Sequence, residues 1–321
     1  MGSFIKDIEN IIYTGKLIGF NEAMQLAKTE DLDELFSSAN RIREKFTGTR
    51  VDLCTIMNAK SGKCSENCKY CAQSAHYHTG VQNYPLIDVD AAIKLAKENE
   101  KEGVHRFSLV TSGKGLSGQD FEKVLEIYKV LRKETNLKLC ASHGIISYEQ
   151  AVRLKEAGVS KYHHNLETSR EFFPKICDTH TYQERIDVIK NVIKAGLDIC
   201  SGGIIGMGET MEDRINMALE IRELGIKSIP VNILNPIKGT PLENIKKLEP
   251  LEVLKTMAIF RFLIPGGFIR YAGGRSALGN LQQLGLKAGI NAALVGNYLT
   301  TVGNKISEDI KMIKDVGLEV N

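Results

Sequence analysis

HRFSLVTSGKGLSGQDFEKVLEIYKVLRKETNLKLCASH, residues 105–143, predicts a strand, an amphipathic helix and a second strand. Short runs rich in β-branched and apolar residues, 105–111 and 137–143, flank a stretch at 121–133 in which apolar residues recur at three-and-four spacing. Two strands joined by a helix run parallel, because the helix carries the chain back to the starting edge of the sheet. The stretch therefore indicates an α/β fold with a parallel sheet.

The same alternation continues over most of the chain. It predicts eight strands, at residues 51–57, 105–111, 137–143, 161–166, 197–202, 228–234, 267–272 and 292–296. Helical patterns lie between them, at residues 90–102, 121–133, 147–157, 181–195, 211–224, 250–263 and 277–288. Eight such strands close a (β/α)8 TIM barrel. An open doubly wound sheet is the alternative, but neither Gly203–Gly208 nor Gly113–Gly115 fits the glycine fingerprint of that fold.

The first 48 residues follow a different pattern. Apolar residues at helical spacing predict three consecutive helices, at residues 5–13, 21–27 and 32–46, before the first strand. We therefore expect an N-terminal helical extension at residues 1–48 and a barrel domain at residues 49–321.

The composition narrows the class of protein. The 321 residues carry 42 Lys+Arg against 39 Asp+Glu, and a net charge of +3 gives no electrostatic footprint for nucleic acid. No apolar run approaches the ~20 residues that span a bilayer. The first residues, MGSFIKDIEN, lack the apolar core of a secretory signal. We therefore expect a cytoplasmic protein with neither a nucleic-acid nor a membrane partner.

Three of the seven cysteines form a compact motif, CSENCKYC, at Cys64, Cys68 and Cys71. Three thiolates on one short loop can hold three corners of a cubane iron–sulfur cluster and leave the fourth iron open. Zinc is the alternative, with His76 or His78 as a fourth ligand. In either case the motif lies directly after the first predicted strand, at the barrel face where active sites lie.

This motif, with the aromatic Tyr70 before its third cysteine, resembles the radical S-adenosylmethionine (SAM) superfamily. Further segments narrow the resemblance to the biotin synthase family: Lys60–Ser74, His164–Ser169, Thr181–Arg185, Cys200–Thr210, Lys238–Leu242, Arg270–Arg275 and Leu299–Thr301. Together they extend over nearly the whole chain beyond Arg50.

The resemblance implies a TIM-barrel sulfurtransferase of biotin biosynthesis, usually a homodimer, that converts dethiobiotin to biotin. A [4Fe–4S] cluster would bind SAM at its open iron, and one electron would then yield methionine and a 5′-deoxyadenosyl radical. Two SAM molecules are expected per biotin, because hydrogen must leave two unactivated carbons. A flavodoxin or ferredoxin is implied as the electron donor.

The resemblance also assigns roles to single residues. The catalytic cluster ligands are Cys64, Cys68 and Cys71. Contacts with SAM are implied for Tyr70, Asn165, Glu167, Arg185 and Ile204. Contacts with dethiobiotin are implied for Lys60, Asn165, Asn232, Thr300 and Thr301. The family has Asp where this chain has Glu167. From the residues alone, Glu167 is equally well explained as a polar residue at a strand end, and Arg185 as an ordinary arginine on a helix surface.

A second cluster, the presumed sulfur source, is familiar in this family as a [2Fe–2S] centre on three strand cysteines and one arginine. Cys140, Cys200 and Arg270 match three of these positions, whereas the fourth falls on Ser108 and an additional cysteine, Cys54, lies in the first strand. Three thiolates suit a cubane with one open iron better than a rhombic pair of irons. We therefore expect a cubane-type auxiliary cluster with room for an extra sulfide, and keep [2Fe–2S] as the alternative.

The period-two pattern places Cys54, Cys140 and Cys200 on the more polar face of their strands, which in a barrel is the lumen. Inert buried thiols are the plain alternative for such residues. Cys177 has no comparable pattern. Two other functions stay open: a related radical SAM maturase or mutase, which has no need of the lumen cysteines, and a zinc-stapled binding protein without catalysis.

Overall fold

The structure is a computed structural model that describes residues 2–297, 299 and 303–320. Its helices are α1 (Gly2–Tyr13), α2 (Phe20–Ala27), α3 (Leu32–Thr47), α4 (Val89–Lys101), α5 (Gly118–Glu134), α6 (Tyr148–Glu156), α7 (Tyr182–Lys194), α8 (Met211–Glu223), α9 (Pro250–Leu263), α10 (Gln282–Leu286) and α11 (Ile306–Asp315). Its strands are β1 (Arg50–Lys60), β2 (Arg106–Thr111), β3 (Lys138–Ser142), β4 (Val159–His163), β5 (Asp198–Cys200), β6 (Gly203–Ile205), β7 (Ser228–Ile233), β8 (Phe268–Tyr271), β9 (Ala292–Leu294) and β10 (Glu319–Val320).

The strands form a closed parallel barrel. β1 to β5 follow one another, β7, β8 and β9 come next, and β9 pairs with β1 to close the sheet. β6 pairs with β7 directly after β5 does, so β5 and β6 together fill one position of the barrel. The barrel therefore has eight positions, and the predicted (β/α)8 fold is confirmed.

The three N-terminal helices pack against helices of the barrel. α3 lies on α9, and α2 lies on α8 and α9. α1 is tied to α3 by its buried Glu9, whose carboxylate accepts hydrogen bonds from Arg41 at 2.6 Å and Ser38 at 2.8 Å. α3 itself begins at Asp31, whose side chain accepts a hydrogen bond from the Glu34 amide. These helices cover the outside of the barrel and leave its interior free.

The elements differ from the sequence prediction in few places. The strand predicted at 197–202 ends at Cys200 as β5, and β6 begins at Gly203, outside the predicted range. Between them the backbone at Gly202 approaches β7 so closely that a Cβ there would lie 1.9 Å from the Pro230 carbonyl oxygen. The helix predicted at 277–288 is a 3₁₀ helix (Arg275–Leu281) followed by the short α10. α11 and β10, which extends the sheet beside the start of β1, were not predicted.

Among the residues that the structure describes, no helix is both long and apolar enough to cross a membrane.

Candidate active site

One cavity of about 460 Å³ occupies the barrel interior and opens toward the loops after the strands. Both groups of cysteines line it: the loop cysteines Cys64, Cys68 and Cys71, and the lumen cysteines Cys54, Cys140 and Cys200. All seven cysteines of the chain are free thiols. A single chamber thus brings two potential metal-binding centres into reach of one bound molecule.

The loop cysteines follow β1 on a segment that is folded back on itself by backbone hydrogen bonds. The Cys64 amide donates to the Gln73 carbonyl at 3.0 Å, and the Ala75 amide donates to the Cys64 carbonyl at 2.7 Å. Ser74 donates from its hydroxyl to the Glu66 carbonyl at 2.6 Å. Cys68 is buried and the other two are half-buried. The donor set, three thiols facing one cavity, fits a cubane cluster with an open iron.

A second loop, between the 3₁₀ helix Phe173–Lys175 and α7, packs against the loop cysteines. The Lys69 amide donates to the Ile176 carbonyl at 2.9 Å, and the Asn67 amide donates to the Thr179 hydroxyl at 3.1 Å. This contact brings Cys177 to Cys68, with 3.6 Å between the two sulfur atoms. Cys177, for which the sequence suggested no partner, therefore lies beside a predicted cluster ligand.

The histidines expected as alternative zinc ligands are not in this cluster. His76 is exposed, and its Nε2 lies 2.9 Å from the Ser65 carbonyl. The histidine near the loop cysteines is His180, which has a ring nitrogen within 4.8 Å of the Cys68 sulfur and its Nδ1 3.3 Å from the Cys177 sulfur. Sequence spacing missed it, because it follows Cys68 by more than a hundred residues and only the packing of two loops brings them together.

Three of the residues assigned to SAM lie together after β4 and at the start of α7. Arg185 donates to the Asn165 carbonyl at 2.8 Å and lies 3.6 Å from the Glu167 carboxylate. The Asn165 amide group donates to that same carboxylate at 3.2 Å. A capping box at Thr181 fixes the start of α7, so that Arg185 lies in its first turns and lines the cavity. Tyr70 and Ile204 line the same cavity.

Glu167 has an unusual backbone conformation, with φ at +72°. A glutamate in the left-handed region is strained, and the surrounding hydrogen bonds maintain it. The Glu167 amide donates to the Gly202 carbonyl at 3.1 Å, and the Ile204 amide donates to the Glu167 carbonyl at 2.8 Å. Strain of this kind is concentrated at functional sites, which supports a functional role for this carboxylate.

The same close packing explains the glycines of this segment. A Cβ at Gly203 would lie 2.4 Å from the Glu167 carbonyl oxygen and 2.4 Å from the Met217 sulfur. Glycine is therefore needed for packing within the protein, and the approach of the backbone to an adenosine is not required to account for it.

The lumen cysteines belong to one layer of the barrel interior. Cys54, Cys140 and Cys200 project from β1, β3 and β5, and Arg270 projects from β8, which occupies the seventh barrel position. In TIM barrels the interior side chains stack in layers of four from alternate strands. These four residues come from the odd positions, and all four line the cavity.

Basic groups surround the lumen thiols. Arg270 donates to the Cys54 sulfur at 3.3 Å and forms a buried ion pair with Asp52. Arg106 contacts the Cys140 sulfur at 3.9 Å and lies 3.6 Å from the Asp52 carboxylate. The Nε atoms of both arginines are buried and have no hydrogen-bond partner among the described residues. Three thiols with unsatisfied cationic donors fit an anionic iron–sulfur cluster.

Cys200 differs from the other two lumen thiols. Burial works to raise its pKa, but a hydrogen bond with His163 and the charges of Arg270 and Lys161 lower the pKa to about 6. Burial raises the pKa of Cys54 to about 12. Arg106, Lys161 and His163 were not predicted as site residues, although the alternation of side chains along β2 and β4 puts them on the lumen face.

The residues assigned to dethiobiotin do not lie together as the SAM residues do. Asn232 lies in β7 at the cavity wall; its amide group donates to the Gly203 carbonyl at 3.1 Å and accepts from the Gly273 amide at 2.9 Å. Lys60 is paired with Asp120 at 2.8 Å, and its side chain is about one-third exposed. Thr300 and Thr301 lie outside the described residues.

Solved structures share this fold. Methylornithine synthase (PylB) superposes with a TM-score of 0.84 at 20% identity, covering 98% of this chain and 97% of that one. The maturase of the [FeFe]-hydrogenase, HydG, superposes with a TM-score of 0.85 at 17% identity, covering 100% of this chain and 76% of that one. At these identities the likeness shows the fold alone.

The sequence relationships are closer. Residues 59–221 match the radical SAM superfamily, and residues 230–319 match the biotin and thiamin synthesis associated domain. The barrel with its cysteine loop after β1 is thus a radical SAM enzyme, a class whose members use a [4Fe–4S] cluster and SAM.

Curated relatives identify the family within this class. Biotin synthase of Acetivibrio thermocellus is 66% identical over 99% of both chains. Biotin synthases of Clostridium tetani and Clostridioides difficile are each 57% identical over the full length of both chains. The chain belongs to the biotin synthase family.

Proposed function

We propose that this enzyme inserts sulfur into dethiobiotin to form biotin, with SAM as the source of the radical and an auxiliary iron–sulfur cluster as the source of sulfur. One observation supports this above all: the loop cysteines and the lumen cysteines line the same cavity. A substrate between them would lie next to both groups. A related maturase or mutase would need only the loop cysteines, and it leaves the layer of Cys54, Cys140, Cys200 and Arg270 without a purpose.

The loop side of the cavity would hold the first cluster on Cys64, Cys68 and Cys71, which when bound supplies the reductive cleavage of SAM. Arg185 is placed to bind the methionyl carboxylate through charge-assisted hydrogen bonds. The Glu167 carboxylate lies 3.6 Å from that guanidinium and would accept hydrogen bonds from ribose hydroxyls. Tyr70 and Ile204 would line the adenosine side, since both face the cavity.

The lumen side would hold the auxiliary cluster on Cys54, Cys140 and Cys200 with Arg270 beside it. The cationic groups of Arg106, Lys161 and Arg270 would neutralise the negative charge of a cluster with three thiolate ligands. Ser108, at the position of the missing cysteine, also lines the cavity. A serine hydroxyl is a poor iron ligand beside three thiols, and this supports a cubane-type cluster with room for an extra sulfide over the [2Fe–2S] form.

Dethiobiotin would lie between the two sides. Asn232 and Asn165 reach the cavity from β7 and from the segment after β4, and an amide offers both a donor and an acceptor to a ureido ring. For the carboxylate tail we retain Lys60, Thr300 and Thr301. Lys60 would have to exchange its present partner, Asp120, for the substrate carboxylate.

The decisive test compares Cys54→Ser with Ser108→Ala. Both residues line the barrel lumen, on the neighbouring strands β1 and β2, but only Cys54 is proposed as a ligand. We expect Cys54→Ser to lose the auxiliary iron and sulfide together with biotin formation, while cleavage of SAM continues. Ser108→Ala should keep both clusters and form biotin.

Iron and sulfide analysis with Mössbauer spectra measures the clusters, and product analysis measures 5′-deoxyadenosine and biotin. Biotin formation by the Cys54→Ser variant would refute the ligand assignment. A spectrum of the [2Fe–2S] type in the unaltered enzyme would refute the cubane.

The remaining parts of the proposal follow from the family resemblance and the free thiols. Seven free cysteines suit a reducing compartment such as the cytoplasm. A flavodoxin or ferredoxin would deliver electrons to the loop cluster, and two copies of the chain would form a homodimer.

A further inference from the structure

The contact between the two loops places Cys68, a predicted ligand of the SAM cluster, beside metal-binding side chains to which no role in the radical SAM chemistry is assigned. Cys68, Cys177 and His180 each direct a ligand atom to one point, and these atoms all lie within 4.8 Å of one another. The Glu66 carboxylate lies next to this group, 2.6 Å from His180 Nδ1. All four residues are buried, with at most 8% of their surface exposed.

The distances among Cys68, Cys177 and His180 match a tetrahedral zinc site. Zinc binds thiolates at about 2.3 Å and imidazole nitrogen at about 2.0 Å, so two sulfur ligands of one ion lie about 3.8 Å apart and a sulfur and a nitrogen about 3.6 Å apart. The observed separations are 3.6 Å between the Cys68 and Cys177 sulfurs and 3.3 Å between the Cys177 sulfur and His180 Nδ1. An ion placed between these atoms would need only small movements of the side chains.

The surrounding structure holds the ligands in place. Asn67 Oδ1 accepts hydrogen bonds from the Asp178 amide at 3.2 Å and from the Thr179 hydroxyl at 3.3 Å, which fixes the segment that carries Cys177. The His180 ring packs edge-on against Phe173, with 5.6 Å between the ring centroids. Glu66, Cys68 and His180 also line the cavity, which gives an ion a route to the site.

We infer that the chain free of iron–sulfur clusters binds one zinc ion on Cys68, Cys177 and His180, next to the Glu66 carboxylate. Because Cys68 belongs both to this set and to the loop cysteines, zinc at this site and a complete cluster on Cys64, Cys68 and Cys71 exclude each other. Zinc bound at this site therefore competes with assembly of the cluster on Cys64, Cys68 and Cys71. The zinc site itself needs no part of the proposed sulfur insertion, since it depends on the described side chains alone.

The test uses the full-length chain, prepared anaerobically with its clusters removed by a chelator. Co²⁺ is added as a spectroscopic probe, because its thiolate charge-transfer and d–d bands report tetrahedral sulfur ligation, and Zn²⁺ is then titrated to displace it. The variants are Cys177→Ser and His180→Gln, with Cys71→Ser as the matched control from the same loop. Circular dichroism shows whether each variant folds.

We expect Cys177→Ser and His180→Gln each to weaken binding of Zn²⁺ at this site at least tenfold, and Cys71→Ser to leave it unchanged. The opposite pattern, with Cys71 required and Cys177 dispensable, would assign the zinc to the loop cysteines and overturn the inference. If Cys177→Ser fails to fold, His180→Gln alone decides, since glutamine retains the volume and polarity of the ring without its metal-binding nitrogen.

A second measurement tests the exclusion. Iron and sulfide are supplied to the cluster-free chain with and without one equivalent of Zn²⁺, and growth of the [4Fe–4S] absorption is followed. Zinc should slow assembly severalfold in the unaltered chain and have little effect in Cys177→Ser. Equal slowing in both would overturn the exclusion. Neither readout involves biotin formation, so failure of the sulfur-insertion proposal would leave this result intact.

Discussion

The loop cysteines and the lumen cysteines line one cavity but are built in different ways. Cys64, Cys68 and Cys71 come from eight consecutive residues on irregular backbone, held by a neighbouring loop. Cys54 and Cys200 are 146 residues apart and come, like Cys140, from regular strands of the barrel. The first group depends on local spacing, and the second depends on closure of the barrel.

The electrostatic surroundings differ as well. Guanidinium groups and an ion pair with Asp52 surround the lumen thiols, so the lumen presents fixed positive charge. Around Cys68 lie another thiol and a histidine, which are metal ligands in their own right, and the histidine contacts Glu66. A rigid cationic lumen suits one anionic cluster, whereas the loop offers Cys68 a choice of metal partners. Four changes test this contrast.

The largest effect is expected at the loop. Cys71→Ser should abolish cleavage of SAM, because the loop cluster loses one of its three protein ligands, while Cys140→Ser should leave cleavage largely intact. Formation of 5′-deoxyadenosine under reducing conditions measures both. Normal cleavage by the Cys71 variant would remove the distinction between the two groups.

The free energy of unfolding should depend on pH through His143, the residue after β3. Its ring is buried between Thr111 and Tyr128, at 3.0 Å from each, and burial lowers its pKa to about 3. The unfolded chain binds a proton near pH 6.5 but the folded chain does not, so stability is lost as pH falls below that value. We expect a loss of about 2 kcal/mol between pH 8 and pH 5 from this residue alone.

Urea unfolding of the unaltered chain and of His143→Gln over this pH range measures that contribution. The glutamine variant should have a shallower dependence on pH. Equal slopes would show that another group is responsible.

A smaller effect is expected at the charged pair of the lumen. Asp52→Asn removes the partner of Arg270 and of Arg106, and should destabilise the cluster-free chain by about 2 kcal/mol. This loss is smaller than is usual for a fully buried pair, because the Asp52 side chain is still 18% exposed. Loading of the auxiliary cluster should reduce the loss, since its charge replaces that of the carboxylate.

Denaturant unfolding before and after cluster loading tests this point. A loss that is the same in both states would mean that the arginines do not respond to the cluster.

The smallest effect concerns the substrate between the two groups. Asn232→Ala should weaken binding of dethiobiotin by about 1–3 kcal/mol, the usual cost of leaving a buried polar partner unsatisfied. Affinity for SAM should be unchanged, because the charged residues assigned to SAM, Glu167 and Arg185, lie in the segment after β4 and on α7. Isothermal titration with each ligand measures the two affinities. A loss of SAM affinity alone would place Asn232 in the wrong part of the site.

Much of the fold was predictable because the period of apolar residues changes sharply between strands and helices. The same period put Cys54, Cys140 and Cys200 on lumen faces, where the structure places them. The prediction failed at Gly202, because the break between β5 and β6 follows from contact with Pro230 on another strand. The pairing of Lys60 with Asp120 was equally hidden, since it joins a strand end to the start of α5.

By itself the sequence determined the fold class, the loop cysteines and the family, because strand and helix periods and the spacing of a short motif are local properties of the chain. Only the tertiary structure decided that Arg106 and His163 stand beside the lumen thiols and that Cys177 and His180 meet Cys68. The physical reason is that these contacts are made across strands and between loops. Their distances depend on barrel closure and loop packing, which no local pattern records.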